Sequence, residues 1–154
     1  MEEGKLEQEI QQELAIDDTH IEGEMKRQPG KFFYWGTLQA KAANRVRNEK
    51  ARLDASKAEE AKTFKENTLK EDSKIRITER MLDDYLDLNE TIRGRKNALI
   101  EAQYSEELLS TAVEAFRQRH YSIVELAKSK ESERMAQNEF SLMKREYEAK
   151  ERKK

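Results

Sequence analysis

The chain has 154 residues, of which 40% are charged and 36% hydrophobic, with one proline, no cysteine and a formal net charge of −2. Globular domains are usually near half apolar and a quarter charged, so this balance argues against a self-sufficient core and for helices that carry narrow apolar stripes. Without cysteine there is no disulfide and no thiolate metal site, and no apolar run is long enough to span a bilayer. The expected class is all-α: a helical homo-oligomer in which neighbouring chains complete the core.

Leu6, Ile10 and Leu14 share one face and predict a first short helix from Leu6 to about Ala15. Asp17, Asp18 and Thr19 are good N-caps and open a second short helix. Pro29 and Gly30 in "RQPG" are expected to end it. The start of the chain has no apolar h-region, so it does not read as a secretory signal. This opening arm is acidic, with nine acids against three bases in residues 1–28.

Four aromatics follow, Phe32 to Trp35. They read first as a small core plug and second as a base-stacking platform. From Tyr34 to Asp72 nothing stops a helix, and Gly36 is its one weak interior point.

Within that helix, Lys41, Arg45, Arg47, Lys50 and Arg52 stand against Glu49 alone, a local charge of +4. At 100° per residue, Lys41, Arg45, Asn48 and Arg52 fall in a sector roughly 60° wide. Trp35, Ala42, Val46 and Leu53 share another sector, expected to be buried. A line of cations beside an apolar face can follow a phosphate backbone, or it can be a solvated face answering acids elsewhere. The acidic arm is one such source of acids.

Ile75 to Ile92 reads as a further helix with Met81, Tyr85, Leu88 and Ile92 on one stripe, interrupted at Gly94 in "IRGRK". A last long helix opens near Asn97, and Ser105 either caps it or lies inside it. Leu109, Ala112, Phe116 and Ile123 form its seam, with Leu108, Val113, Val124 and Ala127 beside them. These residues are the expected oligomerisation surface. Beyond Ala127 the stripe thins to Met135, Phe140, Leu142 and Met143, and the basic end is expected to fray or project. The chain thus reads as two parts, a basic helical part over 1–74 and an apolar assembly part over 75–154.

Catalysis has little support. His20 and His120 are the only histidines, and phosphate loops, nucleophile elbows and HExxH helices are all missing. No enzyme activity, metal or cofactor is expected.

"ELAIDDTHIEGE", "KARL" (Lys50 to Leu53), "QY" (Gln103, Tyr104) followed by "LL" (Leu108, Leu109), and "AVEAFRQRHYSIVE" occur in the order of a known pattern. In these segments, spread over roughly residues 6–134, the sequence resembles the phage recombination mediators of the UvsY type. It departs from them in the charged stretch Ser56–Lys74 and in an extra tail, Glu139–Lys154. The resemblance implies a small helical protein without catalysis, assembling as a ring through its C-terminal part. It would bind single-stranded DNA and help a RecA-type recombinase replace the single-strand-binding protein during recombination-dependent replication and repair. Its setting would be the cytoplasm of an infected bacterial host. By the resemblance Lys50 and Arg52 contact DNA, whereas the helical stripe favours Arg52 with Lys41 and Arg45. The rival reading is a structural coiled-coil scaffold, or a helical adaptor for an acidic protein.

Overall fold

The computed structural model describes residues 3–71 and 74–151. Of these, 94% are helical and none is in a strand, so the protein is all-α. The elements are α1 (Glu3–Leu14), a 3₁₀ turn (Asp18–His20), α2 (Ile21–Glu71), α3 (Glu79–Leu88) and α4 (Glu90–Glu151).

The first helix and the cap at Asp17 follow the sequence. Ile10 is buried, with Leu6 and Leu14 half-buried on the same face. The Asp17 carboxylate accepts from the Thr19 amide at 2.9 Å and starts the 3₁₀ turn. The expected stop at Pro29–Gly30 is absent, and α2 runs straight through both residues. An interior proline costs a helix about 3 kcal/mol, and contacts on either side hold this one. Before it, Glu24 and Gln28 are buried against Arg119. After it, Lys31 Nζ pairs with the Glu13 carboxylate at 2.7 Å and donates to the Glu13 carbonyl at 3.0 Å.

The expected helix over Ile75–Ile92 is also revised. It starts at Glu79 behind an N-cap from Thr78, whose hydroxyl accepts from the Met81 amide, and it ends at Leu88. The break falls at Asn89, not at Gly94, which lies inside α4. Asn89 is extended and its side-chain oxygen accepts from the Ile92 amide at 3.2 Å, so it caps α4. A glycine inside a helix costs only about 1 kcal/mol, too little to end one that is packed on both sides of it. Ser105 lies inside α4, its hydroxyl donating to the Glu101 carbonyl.

Buried positions recur every seven residues, as in a coiled coil. In α2 they are Ile21, Gln28, Trp35, Ala42 and Glu49, and in α4 Ala102, Leu109, Phe116 and Ile123. The chain forms two compact units, Met1–Tyr34 with Ala112–Lys154, and Trp35–Thr111. Each unit draws on both halves of the sequence, which the expected division at residue 74 does not.

In the first unit α2 and α4 run antiparallel: Asp18 meets Lys130, Glu24 meets Arg119, and Gln28 Nε2 donates to the Phe116 carbonyl at 2.6 Å. Arg119 is its centre. It donates to the carbonyls of Leu14 (3.1 Å) and Ala15 (2.9 Å), to Gln28 Oε1 (2.5 Å) and to the Glu24 carboxylate. In the second unit Phe64 stacks on Tyr85 with ring centroids 4.6 Å apart, and Glu60 Oε2 accepts from Tyr85 (2.9 Å) and Asn89 (2.8 Å).

Leu109, Ala112, Phe116 and Ile123, expected as an oligomer seam, are buried by the chain's own residues. Leu108, Val113 and Val124 beside them are half-buried.

Candidate nucleic-acid interface

The basic band lies on α2 within the second unit. Its helix is fixed by a sector roughly 100° round from Lys41, Arg45 and Arg52: Trp35, Ala42 and Leu53 are buried and Val46 is half-buried, as expected from the spacing. Lys41, Arg45, Arg47, Lys50 and Arg52 are all exposed. Lys41, Arg45 and Arg52 line one face over roughly 16 Å of helix axis. Lys50 and Arg47 emerge elsewhere, with Lys50 and Arg52 about 160° apart.

The cations differ in what they face. Arg52 Nη1 donates to Glu49 Oε1 at 2.8 Å, and Glu49 is itself buried. Glu49 keeps the seven-residue spacing of Trp35 and Ala42, and that spacing is the trace of its burial in the sequence. Lys41, Arg45, Arg47 and Lys50 make no ion pair among the described residues. Within the first unit, Glu13 pairs with Lys31, and Glu24 with Arg119 and Arg27. Four of the five bases thus keep their charge free toward solvent on a rigid helix, an arrangement that suits phosphates and carries no sequence preference.

The aromatic run divides. Trp35 is 1% exposed and belongs to the core, while Phe33 is 76% and Tyr34 51% exposed. The core-plug expectation therefore holds for the tryptophan and not for its two preceding neighbours.

Elsewhere the first unit has an open cleft of about 890 Å³, lined among others by Ile21, Met25, Lys130 and Met135. A smaller recess of about 240 Å³ lies among Gln28, Pro29, Phe32, Arg117 and His120. His20 faces Thr19 and Asp17. Among the described residues, no group of three or more histidine, cysteine or acidic side chains is placed to hold a metal, and no helix is long and apolar enough to cross a membrane.

The residue that sequence reasoning missed is Arg119. It stands at the seam spacing of Ala112, Phe116 and Ile123, where a base is out of place unless it is buried with partners. No protein-family model, no curated protein and no solved structure matches this chain.

Proposed function

We propose that the protein is a recombination mediator. It binds single-stranded DNA along the basic face of α2 and promotes loading of a RecA-type recombinase in place of single-strand-binding protein. The observation that carries this reading is the set of exposed, unpaired bases Lys41, Arg45, Arg47 and Lys50 on a helix whose Trp35, Ala42 and Leu53 sector is fixed in the core. The resemblance of "KARL" and the flanking segments to mediators of the UvsY type supports it. Arg52 joins the contact after exchanging Glu49 for a phosphate.

A homo-oligomer repeats the band. One patch of this size binds weakly, while several that hold one strand raise avidity by about 10²–10⁴ through effective concentration. The strand, drawn from one band to the next, is loosened from its coat protein where recombinase monomers assemble. Protein partners meet the remaining charged faces.

The test is a titration of a fluorescent single-stranded oligonucleotide across a range of salt, repeated with duplex DNA and with Lys50→Ala/Arg52→Ala. The expected result is single-strand binding that weakens by about 0.7 log units per contacted phosphate for each log unit of salt. The double variant, still assembled, loses much of it. An intact assembly that ignores DNA at low salt makes the band a solvated face and leaves the coiled-coil scaffold, for which the seven-residue recurrence of buried positions already speaks.

A further inference from the structure

Arg52 and Glu49 set a problem for DNA binding. The Arg52 side chain is 62% exposed, whereas the Glu49 side chain that accepts from it at 2.8 Å is 11% exposed. If Arg52 left for a phosphate with nothing to replace it, Glu49 would remain as a lone buried charge. Stranding one member of such a pair is strongly disfavoured, and that penalty would hold Arg52 back.

A second base stands in the register that faces Glu49. In the second unit Asn89, which caps α4, donates to Glu60 Oε2 at 2.8 Å, so α4 starts beside the later part of α2. From there the two helices run back along each other. As α2 advances seven residues from Trp35 to Ala42, α4 retreats seven from Leu109 to Ala102, and all four are buried. The next step of seven reaches Glu49 on α2 and Arg95 on α4. Leu53 and Ile92, also buried, close the seam on the far side of them.

Arg95 is half-buried and makes no ion pair among the described residues. Its own helix offers no acid one turn away, since Thr91, Ile92, Ala98 and Leu99 occupy the positions three and four from it. On the facing stretch of α2, from Lys41 to Arg52, Glu49 is the only acid. Packed helices lie about 8–10 Å apart, a gap that an extended arginine side chain largely covers. The guanidinium in the seam thus has one carboxylate to answer it, and Arg52 occupies that carboxylate.

We infer that Arg95 is a positioning residue for DNA binding: it takes over the Glu49 carboxylate when Arg52 turns outward to a phosphate. Glu49 is then never left unpaired, and Arg52 exchanges one anionic oxygen for another with both end states satisfied. The DNA part of this role rests on the function proposed above. The sharing of one buried carboxylate between two arginines does not.

Two experiments on the full chain separate these parts. The first needs no DNA: urea unfolding of Arg52→Met, Arg95→Met and both together, with circular dichroism as the check on folding. Each single variant keeps the other arginine for Glu49. The double variant is therefore expected to lower the folding equilibrium constant at least about tenfold beyond the product of the single effects. The same cycle in Glu49→Gln should be additive, because no charge is left to strand. The second experiment is the single-strand titration across salt. Arg95→Met is expected to weaken binding about two- to threefold and to flatten the salt slope by up to about 0.7, one phosphate contact. In Glu49→Gln it should change neither. An additive cycle with Glu49 present overturns the inference whatever DNA does. So does a salt slope that Arg95→Met leaves unchanged, or one that it flattens equally in Glu49→Gln, which makes Arg95 a direct contact. A wild type that ignores DNA overturns the proposed function and the role of Arg95 in it, and a non-additive cycle then leaves only the shared carboxylate.

Discussion

Arg119 and Glu24, 95 positions apart in the sequence, form an ion pair with both side chains under one-tenth exposed. The same guanidinium reaches the carbonyls of Leu14 and Ala15 at the end of α1. The negative end of that helix and a carboxylate thus share one buried cation. Losing one member of such a pair leaves a charge stranded, and this usually costs about 3–5 kcal/mol. Arg119→Met is therefore expected to lower unfolding stability by that amount in urea titrations. Arg119→Met/Glu24→Met should recover part of the loss, though not the part belonging to the two carbonyls. A cost under about 1 kcal/mol for Arg119→Met would show that the pair contributes little net stability.

Pro29 is exposed within α2, and a Cβ added at Gly30 meets nothing within 4 Å. Pro29→Ala returns an amide to the helix ladder at the expense of a more flexible unfolded chain, for a net gain of about 1–2 kcal/mol. Gly30→Ala adds about 0.5–1 kcal/mol. Thermal unfolding reads both, and a fall in melting temperature for either means that the original residue is required by its surroundings.

Tyr85 donates to the Glu60 carboxylate, and that hydrogen bond, more than burial, raises its pKa above the ordinary phenol value. A raised folded-state value means that the contribution is complete below the unfolded pKa of about 10 and is lost as pH climbs through the folded one. Stability is expected to decline above about pH 10, and Tyr85→Phe should remove that part of the decline while costing about 0.5–1 kcal/mol at neutral pH. Identical alkaline limbs for variant and wild type would sink this assignment.

Glu49→Gln tests the competition at Arg52. Without the carboxylate 2.8 Å away, Arg52 is free to meet a phosphate. On the proposed function, single-strand affinity should rise about two- to threefold and the salt slope should steepen by at most about 0.7. A fall in affinity with folding intact would mean that Glu49 holds Arg52 in its binding position.

The fate of particular residues marks what the sequence makes legible. Trp35, Ala42 and Leu53 repeat on one sector, and their burial follows from spacing alone. So does the exposure of Lys41, Arg45 and Arg52 on a different sector. Phe116 and Ile123 are equally periodic, yet periodicity says only that a face is covered and not whether the cover comes from the same chain. That is how a core line is read as an oligomer seam. Pro29 and Gly94 mislead for another reason. Their local cost is a few kcal/mol at most, and contacts distant in sequence override it. Asn89 is a fair cap by its local bond to the Ile92 amide, and its side-chain nitrogen also donates to Glu60, 29 residues away, a contact the local sequence does not announce.

The order in which the chain is made adds a constraint of its own. Leu14 waits for Arg119, 105 residues later, Gln28 for Phe116, 88 later, and Asp18 for Lys130, 112 later. During synthesis the N-terminal arm leaves the ribosome with its apolar face and its carbonyls uncovered, and it stays so until most of α4 has followed. Local helix formation comes early, while closure of the first unit comes almost last and across long loops. A chain cut short before Phe116 therefore lacks the partners of its own beginning.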